Sequence, residues 1–442
     1  MTRKRKRSML LILCLLPALT GCTGSGNEAT FDGEWKKEAT LKVMVSSEDF
    51  FMREYGELFL IQHPNMTIEF VPYEGRDIVR TVAEQEPDVM ALLPADFNLL
   101  YEKGALYDLH NLITDDRFDL DRMHPGIVEA LKQQGGGRLY GLPPFYLNLA
   151  IYYNKKVFDR YSIPYPTDNM TWEELFQLAS RFAGLGEDIF GLYSSLDAGF
   201  LTSLMASSHD VQLFNPTTLT VTAVTPSVSK LAGMLVDAYR TGALAPPASA
   251  NEEDPFIQGK SAMAIDYSYY INNVIRPAKM KQGSDFKPDW DIVTPPSDAR
   301  DRESSSFTYY SEIYTVNAKS PYPQAAWQLV KFVNSDEMAR LRSRTVPYML
   351  PTRTQYIWNV DGKHVEALYS QRPNLNELGK DLSRVPKGFA SQLDSIVNQE
   401  IAKVRAGTQT LEEALKSVQE RGQQQLDEEI AAEKGERNNR DG

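Results

Sequence analysis

The chain has 442 residues, with 47 Lys and Arg against 59 Asp and Glu, a formal charge of −12, 42% apolar residues and two cysteines, Cys14 and Cys22. The acidic balance argues against nucleic acid as a partner, and the scarcity of cysteine excludes a small scaffold stapled by disulfides, so a body of this length is held by its own core and divides into two or three domains. An acidic surface aids solubility beside a wall or membrane and is compatible with cationic ligands.

In chain order, a basic head (Arg3, Lys4, Arg5, Lys6, Arg7), an apolar run from Met9 to Leu19 and the sequence Leu19-Thr20-Gly21-Cys22 read as a bacterial lipoprotein signal over residues 1–21. The run is short of the roughly 20 apolar residues of a spanning helix. Cleavage before Cys22 and acylation of its thiol would tie the body to the outer face of the cell membrane, held firmly where two or more acyl chains are present. Loss of the head leaves 42 basic against 59 acidic residues, a net charge of −17, and no thiol free to form a disulfide.

Residues 22–38 are polar and glycine-bearing, a flexible tether. Leu41 to Val45 is a strand, Phe51 to Ile61 has helical apolar spacing and Met66 to Val71 is a second strand, which together open a βαβ pattern. A strand at Asp88 to Leu93, a helix at Phe97 to Glu102 ending at Gly104 and a helix at Ile127 to Lys132 continue it, and the alternation implies a largely parallel sheet covered on both faces. Gly135-Gly136-Gly137 follows a helix and so reads as a stop and turn rather than a phosphate cradle. Thr171-Trp172-Glu173-Glu174 and Thr410-Leu411-Glu412-Glu413 are capping boxes ahead of apolar stripes, which places Trp172 in a core. After Ile430 the apolar residues run out and residues 431–442 read as a frayed tail.

Several segments, in order, resemble the extracellular solute-binding proteins of ABC importers, family 1, of the maltose and oligosaccharide type. Glu86-Pro87-Asp88-Val89 with Gly104-Ala105-Leu106-Tyr107-Asp108-Leu109 is similar to the family's "PDV" strand and "G-x-L-x-D-L" turn. Gly141-Leu142-Pro143-Pro144 leading to Tyr152-Tyr153-Asn154-Lys155 and Phe158 resembles its crossover, and Thr171 to Leu175 its "TW-x-E-L" helix. Phe256 to Met263, Ala325 to Phe332 and Leu350-Pro351-Thr352-Arg353 resemble three further motifs. The resemblance implies an α/β, two-lobed, periplasmic-binding-protein-like (type II) fold with a central ligand cleft and crossover hinge. It places crossovers near Phe145 to Ala150, Tyr309 to Tyr314 and Met349 to Arg353. The first lobe would then be 39–147 plus 313–346, and the second 148–312 plus 347–430. It further implies a monomer that closes on a carbohydrate, with permease subunits and the lipid bilayer as its other partners and no cofactor.

Ligand groups gather at the carboxyl ends of strands in α/β sheets, which selects Ser47, Glu48 and Asp49 after the first strand, and Asp96 after the third, as ligand-binding candidates. Asp96 is equally well placed to cap the helix that follows. Sugars want aromatic faces beside paired donors and acceptors. In the resembling sugar binders a Trp sits about four residues beyond the alanine of "A-M-x-I"; here Tyr267 or Tyr269 falls there, with Tyr269 preferred. The crossovers add Tyr146 and Asn148 on one side and Tyr309, Tyr310, Ser311 and Glu312 on the other. Trp172 and Trp327 fall on core stripes, Trp35 in the tether, Trp290 before a strand as packing, and Trp358 is unplaced.

A surface glycosidase would use a similar cleft, but nothing in the sequence names a catalytic pair and neither Gly-x-Ser-x-Gly nor His-Glu-x-x-His occurs, so no enzyme activity is expected. Ser207-Ser208-His209-Asp210 reads as a surface turn, since neighbours in sequence cannot face one another as a triad does. The five histidines are scattered singly, against a metal carrier. A polyamine or other cationic solute is an alternative ligand, and a sensor role is an alternative to import.

Overall fold

The computed structural model describes residues 35, 37–73, 78–186, 189–247, 252–310, 312–345, 349–357, 362–374 and 384–440, with side chains as far as 432. The signal, Cys22, most of the tether, Ser311 and Trp358 lie outside the described residues.

Strand β1 (Ala39–Val45) pairs in parallel with β2 (Met66–Pro72) and with β3 (Val89–Leu92), and these three form a five-stranded sheet with β14 (Ile313–Val316) and β4 (Gly141–Leu142) in the order β2-β1-β3-β14-β4. The predicted helix after β1 is one continuous run, Glu48–Phe51, a π-helical turn Met52–Gly56 and Glu57–Gln62. It buries Phe51, Tyr55 and Phe59 against the sheet. The helix Pro323–Val333 covers the same core with Trp327, whose indole donates to Asp116 at 2.7 Å.

A second, four-stranded sheet has the order β11-β6-β10-β7, from Trp290–Val293, Leu149–Asn154, Ser261–Tyr267 and Phe190–Ser194. All six residues of β6 are buried, as expected of a central strand covered on both faces. Leu149 and Ile151 face a core with Trp172 and Met263, while Ala150 and Tyr152 face Tyr270 and Trp290. Trp290 is thus packing, as the sequence indicates. Both capping boxes form: Glu174 N donates to Thr171 Oγ1 at 3.2 Å and Thr171 N to Glu174 Oε2 at 2.9 Å, with the matching pair at Thr410 and Glu413. The glycine triplet ends the helix Pro125–Gln134, with Gly137 at φ +95° and its N–H on the Lys132 carbonyl at 2.7 Å.

Between the two sheets lie β5 (Phe145–Leu147), β13 (Tyr309–Tyr310) and β15 (Leu350–Pro351), a separate three-stranded sheet in the order β13-β5-β15. Two small ribbons, β8 (Phe214–Asn215) with β9 (Thr220–Val221) and β12 (Ser304–Ser305) with β16 (Arg372–Pro373), complete the strands.

Three expectations are corrected. The sheets are mixed rather than largely parallel: β14 is antiparallel to β3, and β6 is antiparallel to β10 and β11. The reason is the hinge, since β6 and β14 enter their sheets directly from β5 and β13, at the edge where the parallel strands end. Trp35 is not in a free tether but packs on the first core, 6.3 Å from Tyr322 and edge-on. The last helix runs Leu411–Arg440, beyond the expected end at Ile430; its Ala, Glu, Lys and Arg residues have high helix propensity without needing an apolar stripe.

Candidate ligand cleft

The three-stranded sheet joins the lobes, and alternation along its strands decides which side chains reach the space between them. Leu147 pairs with Tyr309, and Tyr146 with both Tyr310 and Leu350. Tyr309 is 48% exposed and Leu147 half-buried, whereas Tyr146 and Tyr310 are fully buried. The candidates Tyr146, Asn148 and Tyr310 therefore sit on the rear of the hinge and not in the cleft: shifting the phase by one residue moves every side chain to the other face. Asn148 is structural, donating to the Leu368 carbonyl at 3.1 Å and accepting from Leu149 N at 3.0 Å and Ser305 Oγ at 3.1 Å. Tyr146 packs against the His124 ring at 5.2 Å, and burial lowers the His124 pKa to about 4.

On the first-lobe wall, β14 starts beside the end of β3, Ile313 opposite Leu92, which brings Glu312 next to the turn after β1. Ser46 Oγ donates to Glu312 Oε1 at 2.7 Å. Ser47 caps the following helix, accepting from Phe50 N at 3.3 Å, while Glu48 and Asp49 are exposed in its first turn. Asp96 is not the expected cap, because the helix Pro94–Glu102 starts two residues earlier with Leu93 at the cap position. Its carboxylate instead accepts from the Tyr73 hydroxyl. Burial raises the pKa of both Asp96 and Glu312, partly offset by these hydroxyl donors and, for Asp96, by the charge of Lys387.

On the second-lobe wall β10 and β7 run parallel, and the end of β10 pairs with the start of β6, Tyr267 opposite Leu149, two residues beyond the hinge strand. Tyr267 and Tyr269 stack with ring centroids 5.8 Å apart and planes 30° from parallel. Beside them Asp266 is 1% exposed and accepts from Ser195 Oγ and from its neighbour Tyr267 N, the latter at 2.7 Å. Burial pushes its pKa up to about 6 despite those donors. Tyr267 also senses Tyr309, so the stacked pair borders the hinge floor.

The structure thus brings Ser47, Glu48, Asp49, Asp96 and Glu312 to one wall and Tyr267 and Tyr269 to the other. Sequence reasoning missed Tyr73, Leu147, Ser195, Asp266 and Lys387. Asp266 had a signal, a lone carboxylate inside the apolar run Ser261–Tyr267; Ser195 and Lys387 had none.

A different cavity, about 390 Å³, lies behind the hinge between the helix Pro125–Gln134 and segments 298–304 and 372–374. There the lobes touch closely, since a Cβ on Gly126 would come within 2.7 Å of Pro373 Cδ. Its guanidiniums are already engaged, Arg300 with both oxygens of Asp298 and Arg372 with Asp301. In Ser207 to Asp210, Ser208 Oγ takes the Trp172 indole proton at 2.9 Å. Among the described residues no group of three or more His, Cys, Asp and Glu could hold a metal ion, and no helix is long and apolar enough to cross a membrane.

A family model described as bacterial extracellular solute-binding protein matches residues 45–340. Among solved structures, a sugar transporter from Rhizobium etli in an open conformation is 21% identical, covering 87% of this chain and 99% of its own, with a TM-score of 0.62. The sugar-binding protein MalE from Xanthomonas citri is 16% identical over 90% of this chain and 98% of its own, with a TM-score of 0.59. An ABC substrate-binding protein from Listeria monocytogenes in complex with cycloalternan is 20% identical over 88% and 99%, with a TM-score of 0.52. At these identities the likeness is one of fold.

Proposed function

The chain belongs to the bacterial extracellular solute-binding proteins, and from that premise we propose that it is the lipid-anchored substrate-binding subunit of an ABC importer, closing its cleft on a carbohydrate. The observation that carries this reading is the stacked Tyr267–Tyr269 pair at the end of β10, with the hydroxyl-bound carboxylates Asp96 and Glu312 at the strand ends of the other sheet. Flat rings receive the CH faces of a sugar, and carboxylates already bound to hydroxyl donors are suited to accept from sugar hydroxyls. Neither lobe alone encloses a ligand at this place, so contacts made only in the closed form shift the open–closed equilibrium, and closure is the signal to the permeases. The protein works as a monomer without a cofactor and hydrolyses nothing. Residues 1–21 are its export signal, and Cys22 carries the lipid, palmitate among its acyl chains.

Intrinsic fluorescence and thermal shift against mono- and oligosaccharides, with product analysis, test the reading. A saturable response to one sugar class without turnover supports it; silence from every sugar, or turnover of a glycan, overturns it. Cys22→Ser should release the protein from the membrane fraction and abolish labelling by palmitate.

A further inference from the structure

Alternation along β10 separates two sets of side chains. Antiparallel pairing sets Ala264 opposite Tyr152, Asp266 opposite Ala150 and Tyr267 opposite Leu149, and directly opposed residues share a face of the sheet. Tyr152 and Asp266 therefore lie on one face and the Tyr267 ring on the other. The first two are fully buried, whereas Tyr267 and Tyr269 are half-buried.

From the buried face both side chains reach the backbone of Tyr267. The Tyr152 hydroxyl donates to the Tyr267 carbonyl at 3.0 Å, and Tyr267 N donates to Asp266 Oδ1 at 2.7 Å. The other carboxylate oxygen accepts from Ser195 Oγ, which ties this peptide to the first residue after β7. Beyond it Ser268 N donates to the Asn148 carbonyl at 2.8 Å, and Asn273 N donates to the Tyr269 carbonyl at 2.8 Å as the chain enters the π-helical turn that starts at Ile271. The N–H and the carbonyl that flank the Tyr267 side chain are thus both held by side chains on the far face of the sheet.

Three half-buried rings meet at this clamp. Tyr267 stacks on Tyr269 at 5.8 Å and adjoins Phe200 at 6.5 Å. Phe200 belongs to the helix Ala198–Ser208, which follows Ser195, so the contact of Ser195 with Asp266 joins the segments that bear the three rings. Burial makes a carboxylate in the apolar run Ser261–Tyr267 costly, as its raised pKa records. In return the ends of β7 and β10 are fixed to each other.

We infer that Tyr152 and Asp266 are positioning residues of the ligand site, which act through the peptides of Tyr267 to set the plane of the ring on which the sugar rests. The inference rests on the carbohydrate reading and deepens it. A ring held in place before the ligand arrives gives up less freedom on binding, so the clamp acts on affinity without touching the sugar.

The test is calorimetric titration of the full-length protein in detergent with a panel of mono- and oligosaccharides that includes glucose, maltose, maltotriose, cellobiose and xylobiose, continued with the sugar that binds most tightly. Tyr152→Phe keeps the buried ring and removes the hydroxyl; it should weaken binding about fivefold to tenfold, the effect of one hydrogen bond. Because that effect runs through the ring, the same change should cost at most about twofold in a Tyr267→Ala background. A hydroxyl that only supported the fold would give the same loss in both backgrounds. Asp266→Asn can keep both contacts, its amide oxygen accepting from Tyr267 N and its amide nitrogen donating to Ser195 Oγ, and should hold the affinity within about twofold, whereas Asp266→Ala should lose about tenfold. Where Tyr152→Phe or Tyr267→Ala folds or binds too poorly to titrate, the contrast between the Asn and Ala variants decides. An unchanged affinity in Tyr152→Phe, equal losses in the two backgrounds, or equal affinities of Asp266→Asn and Asp266→Ala overturns the inference and leaves the carbohydrate reading standing. Silence from every sugar of the panel overturns both.

Discussion

On the rear of the hinge sheet Tyr146 and Tyr310 are closed off from solvent, with Tyr146 packed on a neutral His124, whereas on the front Tyr309 stands 48% exposed beside the chain leading to Glu312. The same three short strands supply both faces. The rear is arranged for stability, with large rings and an imidazole denied its proton. The front keeps carboxylates under cover, and among the described residues Glu312 and Asp266 are met there by hydroxyl and N–H groups, which leaves the cost of burying them only partly offset. The two faces therefore respond oppositely to pH.

The sharpest way to break this contrast is Tyr146→Ala, which empties a fully buried site and should cost about 3–5 kcal/mol in chemical denaturation. Next comes the acid limb of stability. His124 has its pKa lowered to about 4 in the folded state, from 6.5. As pH falls below 6.5 the unfolded chain takes up the proton first, so the native state loses up to about 3 kcal/mol by pH 4. His124→Phe should flatten that limb, measured by denaturation at stepped pH. Asp266 runs the other way: burial raises its folded pKa to about 6 from an ordinary 3.8, so the stability it contributes is fully present below 3.8 and is lost as pH rises through 6. Asp266→Asn should then raise stability at pH 8 by up to about 2–3 kcal/mol, with the gain vanishing in acid. The smallest effect on stability is expected from Tyr309→Ala, under about 1 kcal/mol for a half-exposed ring, although it should weaken ligand binding about tenfold in titration. A large loss of stability from Tyr309→Ala would mean that the front face is packed like the rear.

Much of the architecture was legible because its signals are local. Thr171 with Glu174 marks a helix start by chemistry within four residues, and Gly135 to Gly137 marks a stop in the same way. The site was legible only to the level of segments. Which of Tyr309 and Tyr310 looks into the cleft depends on the phase of a two-residue repeat, and that phase is set by pairing with Leu147 and Tyr146, far away in the chain. Asp96 was weighed as a cap because the sequence does not show that Pro94 already begins the helix. Asp266 hid in an apolar strand, and the rear cavity draws on segments near 126, 210, 300 and 373 that no motif connects.

The order β2-β1-β3-β14-β4 also bears on how the protein is made. Among the described residues strand β4 pairs only with β14, and β3 keeps an open edge until Ile313–Val316 has been synthesised and inserted between them. A nascent chain is thus barred from completing its first sheet until most of its length exists. The same delay makes chains cut short of Ile313 prone to pair edge to edge and aggregate.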